Sequence, residues 1–231
     1  MAEPYYADAR CKLYHGNALE LLPQIASEAD GGGVLITDPP WGKSNDNANA
    51  KRSRGHRPHD KLARALDFAE VIGDGEPFDP GPWVQAFPRS ILWGANHYAA
   101  SLPNSPFWLV WDRKAEGKAA DSSVTDAELA WTSGTKYKTV RIYRQMWAGF
   151  QRDGSQAGAK HLHPMEKPVG LFRWCVGWFP TCKTVVDPFC GSGPCLLAAK
   201  REGLRAIGCE IVEEYCETTA KRLESEPVPI F

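Results

Sequence analysis

The stretch TVVDPFCGSGPCLLAAKREGLRAIGCE (184–210) reads as a strand, a glycine-rich turn, a helix and a second strand. TVV ends in Asp187. Gly191 and Gly193 then give the backbone room to turn sharply and lie close to a ligand. The helix that starts near Pro194 and runs to about 202 points its free amides at the same place. Glu210 closes the strand RAIGCE (205–210), 19 residues after Gly191. That is close to the roughly 20-residue spacing at which an acidic side chain reaches ribose hydroxyls in nucleotide-binding sheets. The full G-x-G-x-x-G fingerprint is absent, which points to a nucleoside without a pyrophosphate. The plain alternative is a tight strand–helix turn with a solvated glutamate.

Outward from this unit, strands and helices continue to alternate. RCKLY (10–14) is a short strand followed by a helix from Ala18 to about Ala29. VLIT (34–37) is a buried strand running into DPPW (38–41). Residues 43–60 form a polar loop and 61–71 a helix. A helix or turn carrying Trp83 and Phe87 precedes the strand SILWGA (90–95). FWLVW (107–111) is another strand, and the alternating TVRIYRQMW (139–147) reads as half of a hairpin. PVGLFRWCVGWF (168–179) is an apolar-faced helix with proline at its first turn, and a last helix runs to about Leu223. Alternation of this kind predicts an α/β fold, a mostly parallel sheet with helices on both faces. Ligands of such sheets sit outside the carboxyl ends of the strands. Asp38, Asp187 and Glu210 all fall there.

DPPW carries the second chemical signal. Two prolines at a strand end are rigid and cannot continue a ladder. The carbonyls of Asp38 and Pro39 are then free to accept hydrogen bonds, and Trp41 offers a flat face beside a carboxylate. That combination suits an exocyclic amino group on a planar base. The alternative is a proline-stiffened loop with a buried tryptophan.

The chain has 231 residues, 43% hydrophobic and 24% charged, with 21 Gly and 18 Pro. This is ordinary globular composition, and collagen-like or wholly disordered readings are excluded. There is no internal repeat. The expectation is a single domain over residues 1–231, with a mobile basic loop at 43–61 and a small substrate-recognition region at 112–160. No stretch approaches the roughly 18 apolar residues of a membrane span, and the start MAEPYYADARCK lacks a signal-peptide pattern. A soluble cytoplasmic protein is expected. The seven cysteines are an odd number without a C-x2-C pair, which favours reduced thiols over zinc or disulfides. His56 and His59 are too weak a pair to imply a metal, and none is expected.

The net charge of −1 predicts no bulk attraction to nucleic acid, so attraction must come from local clustering. Residues 43–61 supply it with Lys43, Lys51, Arg52, Arg54, Arg57 and Lys61 against two aspartates. Residues 133–160 do so with Lys136, Lys138, Arg141, Arg144, Arg152 and Lys160 against Asp153. Basic segments beside a base pocket would contact phosphates. A solvated loop is the alternative.

DPPW, HPMEKP (163–168) and DPFCGSG (187–193) together resemble the DNA amino-methyltransferases that modify adenine N6 or cytosine N4. Their order, DPPW first and DPFCGSG last, resembles the circularly permuted beta class. ILWGANHY (91–98) and DAELAW (126–131) look like segments of phage-type adenine methylases in that group. The resemblance runs from about Lys12 to Leu223. It implies a Rossmann-like methyltransferase fold and S-adenosyl-L-methionine (AdoMet) as methyl donor. Asp187, Phe189, Cys190, Gly191, Ser192, Gly193 and Glu210 would line the cofactor, and His163, Lys167 and Pro168 would close over its methionine end. Asn17 in YHGNAL stands where the family often has Asp near the cofactor adenine. Asp38, Pro39, Pro40 and Trp41 would form the catalytic turn, with Asp38 also bordering the cofactor. Asp rather than Ser at the first position favours adenine.

The resemblance therefore implies adenine-N6 methylation of DNA, in a restriction-modification or phage setting. Only about 48 residues separate Trp111 from Lys160, too few for a sizeable recognition insert. The expectation is a relaxed or short recognition sequence, or a surface completed by a second subunit in a homodimer. Cytosine-N4 methylation, adenine methylation of RNA and a catalytically silent nucleic-acid-binding protein are the alternatives.

Overall fold

The computed structural model describes residues 1–41, 72–73, 75–113, 125–148, 151–152, 162–163 and 165–227. The basic stretch 43–61, with Lys43, Lys51, Arg52, Arg54 and Arg57, and the expected helix 61–71 lie outside them.

In chain order the elements are β1 (Tyr6–Ala7), β2 (Cys11–His15), α1 (Ala18–Glu28), β3 (Gly33–Thr37), α2 (Gly81–Ala86), β4 (Ser90–Trp93), β5 (Trp108–Asp112), β6 (Ala127–Ser133) and β7 (Arg141–Arg144). There follow β8 (Trp147–Ala148), β9 (Gln151–Arg152), α3 (Val169–Val176), β10 (Thr184–Asp187), α4 (Pro194–Arg201), β11 (Arg205–Glu210) and α5 (Glu213–Ser225). One sheet has the order β1-β2-β11-β10-β3-β4-β6-β5-β7, and β8 and β9 form a separate short pair. Its centre, β2-β11-β10-β3-β4, is parallel throughout.

The parallel centre explains the apolar runs. In β3, Val34 and Ile36 enter one core and Leu35 the other. In β10, Val185 and Val186 divide the same way. A strand covered on both faces needs apolar residues at every position. Residues of α3, α4 and α5 fill the first core, and those of α1 and α2 fill the second. β10 continues to β11 on one side, while β3 continues to β4 on the other. The crevice at this switch point lies between the ends of β3 and β10, where Asp38 and Asp187 stand.

Two readings change. Residues 141–144 are not half of a hairpin with their predecessor: β7 pairs parallel with β5. Both edges of β6 are already taken, by β4 and β5, so β7 finds its hydrogen bonds one strand further out. A small hairpin does follow, between β8 and β9. Pro168 caps α3 from outside rather than sitting in its first turn, and α3 stops at Val176. Trp174 and Trp178 still pack together, ring centroids 5.6 Å apart. β6 and β7, 7 and 4 residues long, belong to the main sheet and are the scaffold part of the region 112–160.

Candidate functional site

The turn after β10 is held from three sides. The Gly191 N–H donates to Glu210 Oε2 at 2.9 Å, and the Thr219 hydroxyl of α5 donates to the Gly191 carbonyl at 2.8 Å. Arg222 Nη1 donates to Ser192 O at 2.6 Å and to Ser192 Oγ at 3.1 Å. Gly193 has φ +77°, and a Cβ there would lie 2.5 Å from Thr219 Cγ2, so this position takes only glycine without displacing α5. Cys190 is buried and its amide is bonded to Cys209 O at 3.0 Å. Phe189 turns toward the opposite core and packs on Trp83 and Phe78.

Glu210 stands at the end of β11, as its position suggested. Its Oε1 accepts from Val212 N at 2.8 Å. Burial pushes its carboxyl above the ordinary range, against these backbone donors. Each carboxylate oxygen keeps a further lone pair for a hydroxyl donor. Asn17 is exposed at the neighbouring strand end, and its side chain accepts from Leu19 N at 2.9 Å as the cap of α1. Gly16 N, beside it, donates to Glu210 O at 3.0 Å. The His163 ring covers the turn, 3.3 Å from where a Gly191 Cβ would be, and meets the Tyr215 ring at 4.4 Å. Burial, helped by the Lys167 charge, lowers His163 to about 4 and keeps it neutral. The Tyr215 hydroxyl is buried without a hydrogen-bond partner among the described residues.

Asp187 is fully enclosed. The Thr37 hydroxyl donates to its Oδ1 at 2.7 Å and the Phe189 N–H at 3.3 Å. Burial nevertheless lifts its carboxyl to about 7, with the Asp38 and Glu210 charges adding to the rise.

Asp38 lies one residue beyond β3, followed by buried Pro39 and half-buried Pro40. The Lys167 ammonium bonds Asp38 Oδ2 and lies 3.1 Å from Glu128 Oε2. Lys167 is thus held between two carboxylates, one of them on the DPPW turn. Arg113 Nη1 donates to Glu128 Oε1 at 2.6 Å. Burial and Glu128 raise the Asp38 pKa against the pull of Lys167, leaving it above the ordinary value. Burial opposes ionisation of Glu128 too, but Lys167 and Arg113 outweigh it and hold Glu128 low. The Trp41 edge packs on Gly94, and its ring stacks on His97, centroids 4.6 Å apart and planes 16° apart. The Lys167 ammonium lies 5.4 Å from the Trp41 ring centre.

The two ends of the chain therefore share one cleft. The DPPW turn and the glycine turn are joined directly by Thr37 and Asp187, and indirectly by the HPMEKP segment. In that segment Glu166 meets Arg222 at 3.4 Å, while its neighbour Lys167 meets Asp38.

A family profile for DNA methylases of the N6/N4 type matches residues 25–222. This chain belongs to the N6/N4 DNA methylase family. It is 32% identical to the type II methyltransferase M2.DpnII of Streptococcus pneumoniae over 261 residues, covering 98% of this chain and 94% of the relative. Its fold is similar to that of PvuII DNA methyltransferase (cytosine-N4-specific), with TM-score 0.58 and 16% identity over 95% of this chain and 88% of the other. It is also similar to that of M1.HpyAVI, crystallised as a SAM complex, with TM-score 0.54 and 18% identity over 92% of this chain and 99% of the other. The family assignment agrees with the α/β amino-methyltransferase architecture anticipated from the motif order.

The basic residues divide. Arg144 ends β7 beside Asp112, with its Nε 3.6 Å from Asp112 Oδ2, at the end of the sheet where the strands deliver Asp38. Arg141 pairs with Leu109 toward the opposite end, and Lys136 and Lys138 precede it. These four therefore do not form one patch around the catalytic turn. Sequence reasoning also passed over Thr37, Arg113, Glu128, Tyr215 and Arg222, and read His97 as a structural histidine. Glu128 carried a visible signal: a glutamate inside a predominantly apolar segment must find a partner if the segment is buried. Among the described residues no helix is long and apolar enough to cross a membrane.

Proposed function

We propose that this DNA methylase transfers a methyl group to adenine N6, with Asp38 and the Pro39 carbonyl as acceptors for the target amino group. The observation that carries the reading is the placement of Asp38 across the β3/β10 crevice from the glycine turn, linked to it by Thr37 and Asp187. Asp at the first position of the turn supports adenine over cytosine.

AdoMet supplies an electrophilic methyl group when bound. The residues around the turn suit it. The Tyr215 hydroxyl is buried and has no hydrogen-bond partner among the described residues, Glu210 retains acceptor capacity for hydroxyls, and Asp187 offers a buried carboxyl that a cationic donor would draw into its charged form. Gly191 leaves the His163 ring room to close over the turn, and Pro168 fixes the start of α3 behind it.

An adenine amino nitrogen is a poor nucleophile because its lone pair is delocalised into the ring. Two acceptors on its N–H bonds favour a pyramidal nitrogen with the lone pair freed. Positioning and charge complementarity then carry most of the acceleration. Asp38 need not remove a proton first, since the nitrogen loses it readily after alkylation. The base must be flipped out or single-stranded to reach this depth. A planar base stacked on Trp41 would take the place of the His97 imidazole.

The test incubates the protein with methyl-labelled AdoMet and unmethylated DNA or RNA, followed by digestion and identification of the labelled nucleoside by mass. N6-methyl-2′-deoxyadenosine from DNA is expected. Methylcytosine, label in RNA alone or no label would each replace this reading by a different one. Asp38→Ala should abolish transfer while AdoMet binding persists.

A further inference from the structure

Four buried or half-buried charges run in alternating sign away from the catalytic turn: Asp38, Lys167, Glu128 and Arg113. Their side chains are 15%, 4%, 8% and 21% exposed. The chain of contacts is continuous, and Arg113 is fixed at its far end by donation to the Trp147 carbonyl from Nε at 3.3 Å and Nη2 at 3.0 Å. Trp147 in turn donates from its indole to Glu166 O at 2.7 Å, next to Lys167. The network thus returns to the HPMEKP segment that carries Lys167.

Burying such a row has a desolvation cost of several kcal/mol per ion, and well-packed apolar residues often serve stability as well or better. Charge placed here therefore calls for a role in the chemistry. At Asp38 itself, Lys167 occupies Oδ2, while Oδ1 is buried without a hydrogen-bond partner among the described residues. One oxygen is held and the other is left.

We propose that Glu128 is a positioning residue for methyl transfer: it shares the Lys167 ammonium with Asp38, fixing the carboxylate through Oδ2 while Oδ1 stays a charged acceptor for the target amino group. The proposal rests on the reading of Asp38 given above. A lysine paired with Asp38 alone would neutralise the acceptor that the amino group needs. Glu128 draws part of that positive charge away, and Arg113 keeps Glu128 ionised. The other titratable groups that feel Asp38 are Asp187 and Tyr98. Neither contacts Lys167 in the network.

Lys167 and Glu128 act on Asp38 with opposite sign, which makes the proposal separable from a packing role. Kinetics of methyl transfer to unmethylated DNA would be measured between about pH 5 and 9, beside calorimetric AdoMet binding and thermal unfolding. In Glu128→Gln a negative charge near Asp38 is lost, so the acid limb of kcat moves to lower pH, and kcat falls about ten- to a hundredfold through misplacement. AdoMet affinity stays near that of the wild type. In Lys167→Met the acid limb moves to higher pH. A limb at the wild-type position in Glu128→Gln, or one moving the same way in both variants, overturns the proposal. If Glu128→Gln does not fold, Arg113→Gln is read instead. Without Arg113, Glu128 loses a partner that keeps it ionised, so the limb moves to lower pH as in Glu128→Gln, and an unmoved limb is fatal to the idea. Asp38→Asn on the same DNA separates the two levels. If it keeps wild-type turnover, the reading of Asp38 fails. If it is inactive and the limb in Glu128→Gln is unmoved, only the role of Glu128 fails.

Discussion

Thr37 and Asp187 stand 150 residues apart in sequence, and the hydroxyl of one donates to the carboxylate of the other at 2.7 Å. This bond closes the crevice between β3 and β10 and joins the half of the chain proposed to hold the target base to the half proposed to hold AdoMet. Both side chains are buried, so water does not replace the donor if it is lost. Thr37→Val keeps the shape and removes the hydroxyl. Its expected cost is about 1–3 kcal/mol in urea unfolding, as for a buried acceptor deprived of a partner. AdoMet affinity should fall as well, because Asp187 loses the contact that orients it.

Asp187 also predicts a pH dependence. Its carboxyl lies at about 7 in the folded protein, from burial, against an ordinary value of 3.8. Between these values the folded state holds a proton that the unfolded state has released. Stability from this group is therefore fully present below about pH 4 and is lost as pH rises through about 7. Asp187→Asn removes the dependence. Thermal unfolding without cofactor should show the variant gaining on the wild type as pH is raised from about 5 to 8. Equal pH profiles for the two proteins would show that Asp187 is ionised at low pH in the fold.

The same proton bears on cofactor binding. A cationic ligand beside Asp187 favours its charged form, so AdoMet binding should release a proton near neutral pH and tighten as pH rises through about 7. His163 does not confuse the measurement, because burial holds it neutral with its pKa at about 4. Calorimetry near pH 7 in two buffers of different ionisation enthalpy reports the proton directly. Identical heats in both would contradict the assignment of Asp187 to the cofactor.

The parts of the site that were legible are those whose chemistry is local. A strand ending in DPPW and another ending in DPFCGSG announce themselves, because proline and glycine constrain their own backbone and the buried strands before them are apolar at their centres. What was not legible depends on partners far along the chain. Glu128 looks like one polar residue in a strand until the fold brings Lys167 and Arg113 to it. Thr37 looks like the last residue of a strand until Asp187 arrives opposite. β7 was misread for a similar reason: its alternation is real, but its partner is decided by which strand edges remain open, and β6 has none.

The cysteines give a prediction independent of function. All seven are free and buried. Burial, with nearby carboxylates adding, pushes the thiols of Cys11, Cys209 and Cys216 to about 12. Since the thiolate is the reactive form, alkylation of the native protein near neutral pH should be very slow. Mass analysis after iodoacetamide treatment should find unmodified native protein and seven additions once it is unfolded. Rapid labelling of any one thiol in the native state would place it at the surface.

Gly94 offers the sharpest test of the Trp41 placement. It follows β4 with φ +72°, and a Cβ there would fall 2.0 Å from Trp41 Nε1. Gly94→Ala therefore meets two obstacles, a left-handed backbone and an indole edge with no room to spare. The tryptophan can yield only by leaving its stack with His97 and its position beside Lys167. The glycine turn that would hold AdoMet is built from other elements, β10, β11 and α5, and is not disturbed by that movement. The expected result is a loss of about a hundredfold or more in methyl transfer, with AdoMet affinity little changed. Trp41→Phe, which trims the ring at the clash, should restore part of the activity in the double variant. If Gly94→Ala transfers methyl groups at the wild-type rate, Trp41 is not positioning the substrate from this site.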